Sequence, residues 1–173
     1  MRYDKYKTWY EKTALFLGRH GRLKGTVLAL DKYLPLCFYA AYPVLAVVSA
    51  LQLQTDFWLY FLSAGLPFFA FVFVSVLRKI VKRPRPYEPS GANIVPLHDR
   101  TEKLGESFPS RHAASAFVIS IILTRLWLPL GLGLLGAAIT IIFTRMVSGH
   151  HYPTDLIVGS LLGTAFGLPI FFV

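Results

Sequence analysis

The chain is poor in cysteine and has no low-complexity linker or convincing internal repeat. Its one cysteine, Cys37, excludes an internal disulfide and any cysteine-based metal site. Without a linker or a repeat, the 173 residues are expected to form one unit, with residues 1–173 as a single domain. Within it we distinguish an N-terminal segment, 1–32, from a more apolar part, 33–173.

The most prominent feature of the sequence is its long apolar runs. Apolar residues make up 54% of the chain and the mean hydropathy is +0.51, values typical of a membrane protein. A helix needs about 20 apolar residues to cross the hydrocarbon layer. The runs predict an all-α bundle of five to six membrane helices, with five spans near 33–53, 57–77, 112–128, 129–147 and 153–173. Residues 1–32 mix basic and aromatic residues and predict an interfacial helix.

Basic residues are concentrated on one side of this predicted bundle. Five spans place the N-terminal segment, the loop 78–111 and the turn 147–152 on one face, and of 18 Lys and Arg residues only Arg125 approaches the other. The ordinary explanation is the cytoplasmic excess of basic loops, and the alternative is an anion site at the membrane surface. Because the charge belongs to membrane loops, nucleic-acid binding is not indicated.

Three segments on that face carry residue types suited to phosphate. The first is RKIVKRPRP, 78–86, where arginine offers a planar fork that matches phosphate oxygens. The second is SFPSRH, 107–112, which starts a helix whose N-terminal N–H groups favour an anion. The third is TRMVSGHHYPTD, 144–155, between the last two spans. Snorkelling charges and a simple helix cap would explain the first two segments separately, but not the combination.

The two adjacent histidines of the third segment differ in their spacing to an acid. His151 and Asp155 are four residues apart, and Pro153 suits a first helical turn, so the carboxylate is expected beside the His151 ring, where it would accept a hydrogen bond from one ring nitrogen. Such a contact fixes one ring nitrogen and leaves a lone pair on the other. His150 has Thr154 at that spacing. His151 is therefore the predicted nucleophile, and His150 a neighbour at the mouth of the site. His20 and His98 have no partner in these patterns and are expected at the surface.

Together, RKIVKRPRP, PSRH and TR-x5-H-x3-D resemble the three-part signature of the type 2 phosphatidic acid phosphatase superfamily: K-x6-RP, PSGH and SR-x5-H-x3-D. The resemblance covers 78–155 in order and spacing. Three positions depart from it. Arg78 replaces lysine, Arg111 replaces glycine and Thr144 replaces serine. Arg111 is the largest change, since it adds a cation beside the expected phosphate position.

The resemblance implies metal-independent phosphoryl transfer through a phosphohistidine, without a cofactor. His151 would attack phosphorus, Asp155 would orient it, and His112 would protonate the leaving oxygen and then activate water. The implied phosphate-binding residues are Arg78, Arg85, Ser110, Arg111 and Arg145, with Lys79, Lys82 and His150 as possible accessories. No metal ligands are expected, because the nearby carboxylates (Glu88, Asp99, Glu102, Glu106 and Asp155) form no recognisable two-metal arrangement.

The resemblance favours an integral membrane lipid phosphatase, with the bilayer and a lipid phosphate as its partners. The head group stays open among phosphatidylglycerol phosphate, phosphatidate, polyprenyl pyrophosphate and lipid A. The alternatives are a phosphatase for a soluble phosphomonoester, a vanadium haloperoxidase, which the membrane spans argue against, and a non-enzymatic anion-binding protein, which does not need the His151–Asp155 pair.

The sequence constrains the membrane orientation and the oligomeric state less than it constrains the fold. Charge counting places the active face in the cytoplasm, whereas bacterial members of the resembled family favour the extracytoplasmic side of the inner membrane, which we adopt as the expectation. Gly159, Gly163 and Gly167 form a small-residue face, for which internal packing is expected before dimerisation. The oligomeric state is left open.

Overall fold

The computed structural model describes residues 3–52, 54–98 and 104–173. In these ranges every regular element is helical, which confirms the all-α prediction. The elements are α1 Asp4–Arg19, α2 Gly21–Gln52, α3 Phe57–Val81, α4 Arg111–Leu126, α5 Leu128–Val147, α6 Pro153–Gly167 and a short 3-10 helix Leu168–Phe172.

Four helical segments of the described chain are long and apolar enough to cross a membrane: α2, α3, α5, and α6 with its 3-10 extension. Helix α4 has 16 residues and lies at the centre, packing most extensively on α5 and α6. Many large apolar side chains on the outer helices are exposed, as expected for surfaces that face lipid. The protein is an integral membrane protein.

The N-terminal boundary differs from the sequence expectation. Helix α2 begins at Gly21 and continues without a break past residue 33, so only α1 forms a separate N-terminal helix. Polar residues between 21 and 32 concealed this continuity, because a hydropathy pattern records the apolar run and not the helix that extends it. Within that extension Asp31 is fully buried.

Glycines allow α6 to approach α4 closely. A methyl group at Gly159 would lie 2.6 Å from the carbonyl oxygen of Ser110, and one at Gly163 would lie 2.3 Å from that of Ala114. A methyl group at Gly167 would lie 2.9 Å from the side chain of Ile121. These distances are too short for any side chain. The small-residue face therefore packs inside the chain, as predicted.

The three motif segments meet at one end of the bundle. The C-terminal end of α3, the N-terminus of α4, the C-terminal end of α5 and the N-terminus of α6 meet there through the contacts described below. At the opposite end Arg125 donates a hydrogen bond to the carbonyl oxygen of Val173 at 3.3 Å. This agrees with the predicted grouping of the three motifs on one face.

Candidate active site

Asp155 connects all three motif segments. It is the third residue of α6, and its Oδ2 accepts hydrogen bonds from the backbone N–H of Tyr152 at 3.0 Å and from the hydroxyl of Ser107. Its Oδ1 lies 2.6 Å from Nη1 of Arg83. Its backbone carbonyl accepts from the N–H of Ser110 at 2.9 Å. The fully buried carboxylate is thus held by several donors in one orientation.

His151 lies beside this carboxylate, as the four-residue spacing predicted. Its Nδ1 is 3.7 Å from Oδ2 of Asp155, within ion-pair range but longer than a hydrogen bond. The ring is fully buried. With Nδ1 turned towards Asp155, Nε2 is the nitrogen left for chemistry.

The arginines of the first motif lie against the loops of the other two. Arg85 is 2% exposed and its Nη1 donates to the carbonyl oxygen of His150 at 3.3 Å. Arg78, also 2% exposed, donates to the carbonyl oxygen of Glu106, and its Nε lies 3.7 Å from the Glu106 carboxylate. Burying two guanidinium groups this deeply requires strong compensating interactions, which a phosphate dianion would supply.

Arg83 was not among the predicted site residues, whereas the exposed Lys79 and Lys82 were. Lys82 ends α3 in a left-handed conformation with φ of 47°. After this turn Arg83 contacts Asp155, donates to Thr154 at 2.7 Å and stacks over the ring of Tyr152 at 4.4 Å. Residue spacing alone could not distinguish Arg83, which faces inward, from the exposed Lys79 and Lys82.

The second motif begins α4. The hydroxyl of Ser110 accepts from the N–H of Ala113 at 3.4 Å, which makes Ser110 the helix cap. Two residues later, Nε2 of His112 lies 3.4 Å from Nη2 of Arg145 and 3.2 Å from the hydroxyl of Tyr39. Arginine only donates, so Nε2 of His112 accepts whenever this hydrogen bond is formed. His112 and Arg145 are therefore brought together as predicted, and Tyr39 is an addition.

Arg145 is anchored by a residue far away in sequence. Its Nε lies 3.2 Å from Oδ1 of Asp31 in α2, and both side chains are almost completely buried. The guanidinium thereby lies between Asp31 and His112. Asp31 has no motif spacing to Arg145, so no sequence pattern identified it.

Two histidine assignments change. His150 is fully buried and does not lie at the mouth of the site: its ring packs against His98 with centroids 4.9 Å apart, and its Nδ1 lies 3.0 Å from the Ser148 hydroxyl. His98, expected at the surface without a partner, has Nε2 3.6 Å from Oδ2 of Asp31. Both were misplaced because their contacts come from α2 and from the long loop, which neighbouring residues in sequence do not reveal.

Glu88 and Glu106 support the loop between α3 and α4. Oε1 of Glu88 accepts from the N–H groups of Arg85 at 3.0 Å and Gly105 at 2.9 Å. Glu106 contacts Arg78, as described above. Asp99 and Glu102 lie outside the described residues. The two described loop carboxylates thus hold backbone and arginine groups.

Helix α1 covers the loop before α6 with tyrosines. Tyr3 stacks on Tyr152 at 4.8 Å, and Tyr6 donates to the carbonyl oxygen of Met146 at 3.1 Å. Tyr10 donates to the carbonyl oxygen of Val95 at 2.9 Å. Burial raises the pKa of Tyr10 and that of Tyr152 to about 12, so both hydroxyls are neutral at physiological pH. The Tyr152 hydroxyl accepts a hydrogen bond from the N–H of Ala92 at 3.0 Å.

An apolar cavity of about 460 Å³ opens next to His112. It lies between α2, α3 and α4, and its walls are mainly aromatic rings and prolines. Arg111 and His112 are at its polar end, where the guanidinium of Arg111 lies 5.6 Å from the centre of the Phe71 ring. The lining includes Pro35, Phe38, Tyr39, Pro43, Pro67, Phe68 and Phe71. The extra cation of the second motif therefore marks the junction of the polar site and the cavity.

The chain thus belongs to the class of helical membrane proteins, and its three basic segments, a buried His–Asp pair and a second histidine converge at one end of the bundle. Residues 56–173 match the sequence model of the PAP2 superfamily. The chain belongs to this superfamily, which confirms the resemblance found in the motifs.

Two relatives are similar to parts of the chain. The lipid A 4'-phosphatase of Bacteroides thetaiotaomicron is 36% identical over 105 residues, which are 57% of this chain and 46% of the relative. The decaprenylphosphoryl-5-phosphoribose phosphatase of Mycobacterium tuberculosis is 30% identical over 125 residues, 72% of this chain and 66% of the relative. The aligned regions thus span about half of the first relative and just under two thirds of the second.

Two crystal structures share the fold. LpxE of Aquifex aeolicus superimposes with a TM-score of 0.51 at 24% identity, covering 84% of this chain and 94% of that protein. The PAP2-type phosphatidylglycerolphosphate phosphatase of Bacillus subtilis gives a TM-score of 0.52 at 17% identity, covering 96% and 92%. At these identities the likeness concerns the architecture of the helices alone.

Proposed function

We propose that the protein is a membrane lipid phosphatase that releases phosphate from a lipid phosphomonoester or pyrophosphate. The observation that carries this proposal is the junction at His112: an apolar cavity between membrane helices ends where the three basic segments converge. A phosphate at the polar end and a hydrocarbon chain in the cavity would use both halves of the site. The names of the two phosphatase relatives support a phosphorylated lipid as the substrate class.

The geometry supports His151 as the nucleophile. Nε2 would form a bond to phosphorus as the bond from phosphorus to the lipid oxygen breaks, and His112 would give that oxygen a proton. Water would then attack the phosphohistidine, passing a proton to His112, and inorganic phosphate would leave. Asp155, fixed by Arg83 and Ser107, would stabilise the positive ring of His151.

Positive groups would replace a metal in stabilising the transition state. Arg78, Arg85 and Arg145 are buried around the converging loops, and the start of α4 adds the N–H groups near Ser110 and Arg111. Such donors act strongly on the charge of a transferring phosphoryl group, because they are fixed before reaction. Arg111, at the mouth of the cavity, is placed to contact the part of the head group nearest the lipid chain.

The direct test is phosphate release by the purified protein in detergent with EDTA present. The panel contains phosphatidylglycerol phosphate, phosphatidate, a polyprenyl pyrophosphate, a lipid A phosphate and soluble phosphomonoesters such as a sugar phosphate. We expect turnover of at least one lipid and much weaker turnover of soluble esters. Faster hydrolysis of a soluble ester than of every lipid would refute the lipid assignment, and no release from any substrate would refute the enzyme assignment.

We also propose that the active face lies on the extracytoplasmic side of a bacterial inner membrane. Several loop cations serve the phosphate site, so their number does not report topology. A cysteine at Ser90, which is exposed in the loop after α3, would be labelled by a membrane-impermeant maleimide in intact cells of a Cys37→Ser variant. Ser90 suits this better than Gly91, where a side chain would meet the carbonyl oxygen of Arg85. Protection until lysis would place the face in the cytoplasm.

A further inference from the structure

A second cluster of ligand-type side chains lies beside the phosphate site. Asp31 of α2, His98 of the loop after α3, and His150 before α6 bring one carboxylate oxygen and one nitrogen of each ring within 4.8 Å of one another. The phosphatase signature requires none of the three. We propose that Asp31, His98 and His150 form a binding site for one divalent transition-metal ion, best suited to Zn²⁺, that does not take part in phosphoryl transfer.

The burial of the three side chains suits a bound cation. Asp31 and His150 are fully buried, whereas the side chain of His98 is 24% exposed. Asp31 already pairs with Arg145 and His98, and a metal ion would bind the carboxylate and the two imidazoles at the same time. The partly exposed His98 gives an ion a route from solvent.

Neighbouring contacts orient two of the ligands. Nδ1 of His150 lies 3.0 Å from the Ser148 hydroxyl, so we take Nε2 as the nitrogen that would bind the ion. Oδ1 of Asp31 lies 3.2 Å from Arg145, while Oδ2 is the oxygen nearest His98, at 3.6 Å. One carboxylate oxygen thus serves the arginine and the other can serve an ion. Orientation of ligands by outer hydrogen bonds is a general feature of metal sites.

The ligand set selects the kind of ion. Two imidazoles and one carboxylate suit Zn²⁺ and similar transition metals, whereas Mg²⁺ prefers six oxygens. Zn²⁺ binds nitrogen at about 2.0–2.1 Å, so the ligand atoms, which lie within 4.8 Å of one another, would move closer together around the ion, with water as a fourth ligand. The positive charge of Arg145 opposes the ion, so we expect weaker binding than at a zinc site that stabilises a fold.

The test is metal binding in the absence of substrate, so its result is separate from that of the phosphatase assay. Protein purified in detergent without a polyhistidine tag is dialysed against Zn²⁺, and the bound metal is measured. We expect about one equivalent on the wild type, unaffected by excess Mg²⁺. His98→Ala should weaken binding at least about tenfold. The matched control is His20→Ala, because His20 is an exposed histidine between α1 and α2.

Equal Zn²⁺ binding by wild type and His98→Ala, or none by the wild type, would overturn the site. Co²⁺ supplies a measurement that needs no variant. Added to the wild-type protein, it should develop the intense visible absorption of a four-coordinate site, and Zn²⁺ should then remove this absorption. A spectrum identical to that of aqueous Co²⁺ would also overturn the proposal.

Discussion

The guanidinium of Arg83 approaches Asp155 more closely than the imidazole of His151 does. Nη1 of Arg83 lies 2.6 Å from Oδ1, whereas Nδ1 of His151 lies 3.7 Å from Oδ2. Arg83 of the first motif therefore helps to hold the carboxylate of Asp155 in place beside His151 of the third motif. This arrangement makes the position of Asp155 depend on an arginine 72 residues earlier.

Replacing Arg83 should lower turnover more than substrate affinity. In Arg83→Gln the Asp155 carboxylate loses its charged anchor, and we expect kcat to fall at least about tenfold with little change in KM. Arg83→Lys should recover part of the loss. Arg22→Gln, at an exposed arginine of α2, is the matched control. Wild-type kcat in Arg83→Gln would show that Asp155 is held well enough without it.

The two adjacent histidines should respond differently to substitution. His151→Ala should abolish phosphate release and any acid-labile phospho-enzyme, because Nε2 is the proposed attacking atom. His150→Gln should keep substantial activity, since its ring faces His98 and Ser148. Rapid acid quenching with radiolabelled substrate measures the intermediate. Phosphate trapped on His150, or equal loss of activity in both variants, would reverse the assignment.

Asp31→Asn should weaken both the fold and the phosphate site. Removing one partner of a buried ion pair costs about 3–5 kcal/mol of unfolding free energy, and Arg145 would lose its anchor. We expect a lower Tm in detergent and weaker inhibition by vanadate. Asp56→Asn is the control, because Asp56 caps α3 at the other end of the bundle and asparagine caps helices equally well. Equal vanadate inhibition of wild type and Asp31→Asn would exclude a positioning role.

Activity should survive excess EDTA, and vanadate should inhibit it. The proposed phosphate site is built from arginines, and vanadate adopts the trigonal bipyramidal geometry of phosphoryl transfer. Assays with EDTA, then with vanadate at increasing phosphate, measure both effects. Loss of activity in EDTA that Mg²⁺ restores would contradict the metal-independent mechanism.

Close packing of α6 on α4 predicts a clear difference between two glycines. Gly163→Ala places a methyl group 2.3 Å from the carbonyl oxygen of Ala114 and should destabilise the protein by about 1–3 kcal/mol. Gly133→Ala meets nothing within 4 Å on α5 and should be neutral or stabilising. Thermal unfolding in detergent compares them. A Tm for Gly163→Ala equal to that of Gly133→Ala would show that the helices can separate at little cost.

Local spacing predicted much of the bundle and of the site. A four-residue interval on a helix places His151 beside Asp155, and apolar runs locate α3 and α5 because both patterns depend on nearby residues. Contacts between helices that are far apart in the sequence leave no local pattern of residues. The pairing of Asp31 with Arg145 and that of Tyr39 with His112 depend on how α2 rests on α4 and α5, which an apolar run does not specify.

Backbone conformation concealed another part of the site. The segment from Arg78 to Arg85 contains five cations, counting both ends. The left-handed turn at Lys82 decides which of the residues after it points inward. A lysine rarely adopts a positive φ, so composition gave no sign that the chain turns there. The sequence therefore indicated the charge of this segment, and the family resemblance pointed to Arg78 and Arg85, but neither indicated that Arg83 would contact Asp155.

The superfamily match begins at residue 56, yet the network around the site crosses that boundary. Tyr3 and Tyr6 rest on the loop of Tyr152, and Asp31 anchors Arg145. Residues 56–173 therefore do not form an independent unit that could be transferred to another protein. A hybrid that joins this region to the first two helices of another protein would keep every signature residue, but it would keep the buried counter-charge of Arg145 only if that protein had an acidic side chain at the position of Asp31.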